Sequence, residues 1–170
     1  MLMPTRRRTL APRGQTPILN AWDRRNRISA ISAITISPKR RRRNLLFQLL
    51  PDDHNVVAAD VVIFLRQLRR HLPGPILLVW DRSRTHDRAI LVREYLAKHP
   101  EIQTERLPGY APELNPDEQV WANLKHGGMA NFVPADTQAL RTRLAKELRG
   151  IKHRSELLAN FVRHALPMRF

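Results

Sequence analysis

Two acidic residues occupy positions from which a carboxylate could do chemistry. Asp81 directly follows the apolar run 76–80, at the carboxyl end of a predicted strand, where open α/β sheets place functional groups. Glu118 lies in the polar and proline-rich segment 114–121. The chain contains no Cys, so a thiolate zinc site and a cysteine nucleophile are excluded. Any catalysis would therefore use carboxylates, His, Lys or Ser.

Both acids also have a purely structural interpretation. An Asp after a strand is typical of a turn or of a helix cap, and Asp81 fits either role. Asn115 as N-cap, Pro116 at the first helical position and Glu118 at the third would form a capping box, which needs no catalytic function. His86 has no partner at metal-ligand spacing, which favours a structural role for it. Residue types and spacing alone leave these alternatives open.

The charge balance indicates a polyanionic partner. The chain has 30 Lys and Arg against 15 Asp and Glu, a formal net charge of +15, and its basic residues are concentrated before position 44. Such an excess attracts nucleic acid. We expect one basic run to lie in a loop that contacts DNA phosphates, with a solvated loop or an address tag as the alternative. This run consists of Lys39, Arg40, Arg41, Arg42 and Arg43.

Hydrophobic periodicity predicts a single α/β domain with a mixed sheet. Apolar runs are far shorter than the roughly 18 residues of a membrane span, which predicts a soluble, cytoplasmic protein. A helix carrying Leu140, Leu144 and Leu148 is expected to end at Gly150, and another is expected around 157–162. The other predicted elements are strands 28–37 and 45–50 forming a hairpin, helix 56–72, strand 76–80, helix 87–98, strand 102–107 and helix 117–125.

Two segments together resemble the catalytic domain of DDE transposases of the mariner superfamily, in its bacterial insertion-sequence branch. The second segment is the more specific, because proline, tyrosine, proline, Leu-Asn-Pro, an acid and Trp follow one another in the family's order. Residues 13–17 also match the stretch after the family's first catalytic strand. The two segments are Leu78-Val79-Trp80-Asp81-Arg82-Ser83-Arg84-Thr85-His86 and Leu107-Pro108-Gly109-Tyr110-Ala111-Pro112-Glu113-Leu114-Asn115-Pro116-Asp117-Glu118-Gln119-Val120-Trp121-Ala122-Asn123-Leu124-Lys125.

The resemblance implies an RNase H-like fold in which three acids hold two divalent cations, Mg²⁺ or Mn²⁺. Asp81 matches the second acid and Glu118 the third, and each would be both a metal ligand and a catalytic residue. Carboxylates suit this chemistry because hard cations prefer oxygen ligands, and two of them can clamp the attacking and leaving oxygens of a phosphodiester. The implied partners are transposon ends and target DNA. A bacterial, nucleoid-associated location follows from the same resemblance.

The chain departs from the family pattern at its beginning. The family's first acid lies on a central strand just upstream of residues 2–17, and no acid occupies that region here. We therefore expect 1–126 to be a partial catalytic domain with a basic hairpin region at 13–50, and 127–170 to be a C-terminal helical extension. The expected assemblies are a homodimer or a complex with an upstream-frame product that supplies the missing strand. The alternative is a catalytically inactive DNA-binding remnant.

Overall fold

The computed structural model describes residues 7–8, 10–15, 17–18, 27–37 and 42–166. Strands and helices alternate in the first part of the chain, and helices alone make up the rest. A single 3-10 turn at Pro112–Leu114 precedes the fourth helix. In chain order the elements are β1 (Ile28–Ile36), β2 (Arg43–Asp52), α1 (Ala58–His71), β3 (Ile76–Trp80), α2 (Arg84–Asp87), α3 (Ile90–Ala97), β4 (Ile102–Arg106), α4 (Pro116–His126), α5 (Thr137–Lys152) and α6 (Ser155–Ala165).

The antiparallel hairpin of β1 and β2 lies between two hydrophobic clusters. Its register runs from Ile28 opposite Asp52 to Ile36 opposite Arg43, with an irregularity between positions 28 and 30. Because successive side chains of a strand point to opposite faces, β1 contributes to both clusters. Ile28 and Ile34 pack against the cluster of the C-terminal helices. Ile31 and Ala33 pack against the cluster of α1 and α3, which explains why apolar residues occupy both faces of β1.

Helix α1 follows the predicted pattern closely. Its buried residues include Val61, Leu65 and Leu68, spaced three and four apart so that they share one face. The buried carboxylate of Asp60 accepts a hydrogen bond from the Val57 amide at 2.9 Å and lies 2.8 Å from His54 Nε2. The helix ends before Pro73-Gly74-Pro75, as the sequence predicts.

Strands β3 and β4 form a parallel pair joined by α2 and α3. Ile76 lies opposite Ile102 and Trp80 opposite Arg106, so the two strands end at the same edge. The described residues form two separate two-stranded sheets and contain no ladder between them. Leu77 and Val79 of β3 are 62% and 46% exposed although the strand is entirely apolar.

Helices α5 and α6 contribute most of the buried residues to the cluster of the C-terminal helices. Leu148 of α5 and Leu158 of α6 are fully buried beside Leu45 of β2 and Val120 of α4. The prediction that α5 ends at Gly150 is wrong, because the helix continues to Lys152. The two additional residues include Ile151, which is buried in the same cluster, and this packing outweighs the unfavourable helix propensity of glycine. No helix within the described part of the chain has the length and apolar character needed to cross a membrane.

Candidate active site

The Asp81 carboxylate lies in the turn that follows β3. Its Oδ1 accepts a hydrogen bond from the Ser83 amide at 2.8 Å and lies 2.8 Å from His86 Nε2. The same His86 nitrogen is 2.8 Å from the Asp81 carbonyl oxygen. About half of the Asp81 side chain, 54%, remains exposed. Asp81 therefore makes the turn contacts that the sequence suggested and still offers carboxylate surface to a ligand.

His86 is held against the end of β3. Its ring lies 4.7 Å from the Trp80 ring centroid, with an interplanar angle of 32°. The neighbouring Asp87 forms a 2.6 Å ion pair with Arg106, which ties α2 to the end of β4. Since Trp80 and Arg106 are opposite each other in the parallel pair, these contacts fix the turn over the strand ends. His86 therefore positions Asp81, which is a structural role of the kind expected for it.

Arg82 connects this turn to the segment that leads toward α4. Its Nε donates a hydrogen bond to the Leu107 carbonyl at 3.2 Å, and the Leu107 amide donates to the Trp80 carbonyl at 2.8 Å. The guanidinium also lies beside Gly109. The Asp81 turn of the first motif segment and the start of the second segment at Leu107 therefore lie side by side at the carboxyl ends of β3 and β4.

Glu118 lies in the first turn of α4 with its side chain exposed. Asn115 is the N-cap, as predicted, and its Oδ1 accepts a hydrogen bond from the Asp117 amide at 3.1 Å. Within the described residues, the Glu118 carboxylate makes no hydrogen bond or ion pair, so the reciprocal half of the predicted capping box is not formed. The carboxylate is therefore free of the capping contact that would compete with metal binding.

Asp117 is a site residue that sequence reasoning missed. Its Oδ2 accepts hydrogen bonds from Ser32 Oγ at 2.6 Å and from Trp121 Nε1 at 3.0 Å, which joins α4 to β1. Its Oδ1 is buried and has no hydrogen-bond partner in the described structure. Burial raises the pKa of Asp117 above its usual value, the Ser32 and Trp121 hydrogen bonds oppose the rise, and nearby Glu118 adds to it. The available signal was Ser32, one of three hydroxyl residues in the largely apolar strand β1.

The described residues fit a divalent cation in donor type but not in number. Asp81 and Glu118 supply carboxylate oxygens, which Mg²⁺ and Mn²⁺ prefer. Among the residues that the structure describes, no three His, Asp or Glu side chains come together in a way that could hold a metal ion. These two acids alone do not form the three-acid site that the family resemblance implies.

The basic run at 39–43 is described only in part. Lys39, Arg40 and Arg41 lie outside the described residues. Arg42 is exposed at the base of the hairpin, where its carbonyl accepts a hydrogen bond from the Ser37 amide at 2.9 Å, and Arg43 is opposite Ile36. The predicted hairpin is confirmed, whereas its contact with DNA stays a prediction.

Comparisons with known proteins agree with this description. The family model described as DDE superfamily endonuclease matches residues 2–140, a span that contains both acids. Among solved structures, the Mos1 strand transfer complex and the Mos1 transposase paired-end complex with the left transposon end are similar to this chain. Each has a TM-score of 0.54 at 18% sequence identity, covering 98% of this chain and 51% of the Mos1 chain. No curated protein sequence matches. The chain thus spans about half the length of the Mos1 chains and shares their fold.

Proposed function

Because the chain belongs to the DDE superfamily of endonucleases, we propose that it is the catalytic-domain portion of a DNA transposase of the insertion-sequence type. The observation that carries the proposal is the match over 2–140 combined with the geometry of its two acids. Asp81 lies at the carboxyl end of β3, and Glu118 lies at the start of α4, where its carboxylate makes no capping contact with any described residue. The reaction of the complete enzyme would be hydrolysis at transposon ends followed by strand transfer into target DNA.

Asp81 and Glu118 would be the metal ligands of this site. A bound Mg²⁺ or Mn²⁺ would stabilise the charge that develops on the oxygens of the cleaved phosphodiester. The hydrogen bond from the Ser83 amide and the contact with His86 hold one oxygen of Asp81, which leaves the other directed to a ligand. Arg82, through the Leu107 carbonyl, would keep the Asp81 turn in place relative to the loop before α4.

A third acid would come from an additional strand, supplied by an upstream-frame product or by further sequence. The two described sheets leave one edge of each strand outside a ladder, and Leu77 and Val79 expose apolar surface on β3. Both sheets contribute to the cluster around α1 and α3, so one extended segment could pair with β1 and β3 together. In this arrangement 1–126 would provide two of the three acids, with 127–170 supporting them.

A second candidate is a DNA-binding protein without nuclease activity. The formal net charge of +15 favours DNA binding whether or not the metal site is complete. The lack of a three-ligand group among the described residues favours this alternative for the chain alone. Such a protein would act on DNA in the bacterial cytoplasm, associated with the nucleoid. It could form homodimers, or mixed assemblies with active transposase.

A nicking assay separates the two functions. Supercoiled plasmid is incubated with the chain in Mg²⁺, in Mn²⁺ or in EDTA, with and without the product of the upstream reading frame. Metal-dependent nicking that disappears in Asp81→Asn and Glu118→Gln, but persists in the matched loop control Glu113→Gln, would support the transposase. DNA binding without nicking under all of these conditions would support the inactive DNA-binding protein.

A further inference from the structure

A groove between α1 and α3 is lined by a concentration of cations and does not include either of the two acids. The cavity has a volume of about 520 Å³ and apolar walls that include Val62 and Leu91. Its floor contains Tyr95, whose ring lies 5.8 Å below the Arg66 guanidinium. The charged side chains that line it are Arg66, Arg69 and Arg70 of α1 and Glu94, Lys98 and His99 at α3.

Three of these cations are not neutralised by the protein. Arg69 Nε forms a 2.7 Å ion pair with Glu101, which compensates its charge. Arg66, Arg70 and Lys98 are exposed and make no ion pair with any described residue. Glu94 is the single acid among the lining residues. Exposed cations on two facing walls repel one another, and a bound polyanion would relieve this repulsion.

The cationic surface continues on the other side of α1. A second cavity, of about 350 Å³, is lined by Gln67 and His71 of α1 together with Arg149 and Lys152 of α5. Cations that make no ion pair with any described residue therefore lie on both sides of the same helix end. A single small anion would occupy only one of these cavities, whereas a sugar-phosphate backbone could follow both.

The groove runs along α3 from Leu91 in its first turn to His99 just beyond its end, and its basic residues are concentrated toward the latter. Arg69, Arg70 and Lys98 are at the carboxyl ends of α1 and α3, which lead into the first residues of β3 and β4. Asp81 follows the last residue of β3. A strand rises about 3.3 Å per residue, so the five residues of β3 span about 16 Å from the end near these cations to the end near Asp81.

We propose that the α1–α3 groove binds the sugar-phosphate backbone of a duplex DNA segment. Arg66 and Arg70 would bind phosphate oxygens through their guanidinium groups, and Lys98 would contact the same backbone from the opposite wall. These contacts carry no sequence information, so the segment would be bound without sequence preference. The proposal does not require Asp81 and Glu118 to be catalytic.

The test combines salt dependence with site-directed crosslinking. Binding of a labelled random-sequence duplex is measured by fluorescence anisotropy over a KCl series, in the Asp81→Asn, Glu118→Gln background so that cleavage cannot contribute. The slope of log K against log salt is negative, and each lost phosphate contact reduces its magnitude by about 0.9. The triple variant Arg66→Gln, Arg70→Gln, Lys98→Gln should therefore reduce the magnitude of the slope by about 2 to 3. The matched control Lys146→Gln, Arg154→Gln, Arg163→Gln removes the same charge from positions lining neither cavity. Equal slopes for both triple variants would overturn the proposal.

Crosslinking gives a readout that does not depend on charge removal. The chain contains no Cys, so Lys98→Cys and the control Arg163→Cys each create one attachment point for a photoactivated crosslinker. We expect DNA adducts from position 98 and at least fivefold fewer from position 163. Adduct yields at position 98 no higher than at position 163 would refute the groove as a DNA site, even if the proposed nuclease activity were demonstrated.

Discussion

Asp117 offers a test of how α4 is attached to β1. Asp117→Ala removes an acceptor and leaves Ser32 Oγ and Trp121 Nε1 without their partner. A buried polar group that loses its partner costs about 1 to 3 kcal/mol, so two such losses predict a decrease of about 2 to 6 kcal/mol in the free energy of unfolding. Asp117→Asn keeps an acceptor oxygen and removes the buried charge, so its stability at pH 7.5 should lie within about 1 kcal/mol of the native chain.

The pH dependence follows from the raised pKa of Asp117. Burial makes the folded protein hold the Asp117 proton more firmly than the unfolded chain does. The stabilising contribution of the protonated carboxyl is fully present below the unfolded pKa, about 3.9, and is lost as pH rises through the higher folded pKa. The native chain should therefore lose stability relative to Asp117→Asn between pH 4.5 and pH 7.5.

Urea unfolding followed by tryptophan fluorescence measures these differences. The native chain, Asp117→Asn and Asp117→Ala are compared at pH 4.5 and pH 7.5. We expect Asp117→Ala to be the least stable of the three at both pH values. If the advantage of the native chain over Asp117→Asn instead grew with pH, the charged carboxylate would be stabilising and the argument from burial would be wrong.

Three further predictions use the same described residues. Burial raises the pKa of Asp60, but the hydrogen bonds from the Val57 amide and His54, with the His54 charge, outweigh it, so the pKa is lowered. The ionised Asp60 carboxylate therefore stabilises the fold above about pH 3.9, and this stabilisation is lost as pH falls through the lower folded pKa. Asp60→Asn should therefore be destabilising in urea unfolding at pH 7, with a smaller difference at pH 3. Leu148→Ala, at a fully buried position, should cost about 2 to 5 kcal/mol in the same assay. Leu91→Ala, at a position 47% exposed, is its control and should cost far less. Arg42→Ser with Arg43→Ser should lower the salt slope of DNA binding by up to about 2, and an unchanged slope would remove the hairpin from the DNA contacts.

The sequence predicted local elements well where periodicity and helix-stop residues agree. Strand β3 was placed at its observed bounds, and α1 was predicted to within two residues at its start and one at its end. The end of α5 was wrong because Gly150 is a local signal, whereas the burial of Ile151 depends on residues distant in sequence. Strand pairing is non-local in the same way, so the separation into two sheets could not be read from alternation within single strands.

The candidate site was predictable to a similar extent. The sequence singles out Asp81 because it follows an apolar strand and Glu118 because it lies in a specific motif, and their catalytic role stays a prediction. The attachment of α4 to β1 through Asp117 depends on Ser32, 85 positions away, and no local sequence pattern indicates that contact. The α1–α3 groove was equally hidden, because each cation on α1 and α3 is typical of a solvated helix face until both helices are placed side by side.

The two acids are presented by different hydrophobic clusters. Asp81 follows β3, whose Ile76, Leu78 and Trp80 pack against the α1–α3 cluster. Glu118 belongs to α4, whose Val120 and Leu124 lie in the cluster of the C-terminal helices. Strand β1 packs against both clusters, and its Ser32 also binds Asp117 beside Glu118.

The hairpin therefore determines where Glu118 stands relative to Asp81. A shift of β1 by one residue would exchange the side chains that face the two clusters, and it would also break the Ser32 contact that holds α4. A strand added beside β1 would restrict such shifts, because each new ladder hydrogen bond specifies the same register. For this reason an additional strand would contribute to the proposed metal site in two ways: it could carry a third acid, and it would fix the separation of Asp81 and Glu118.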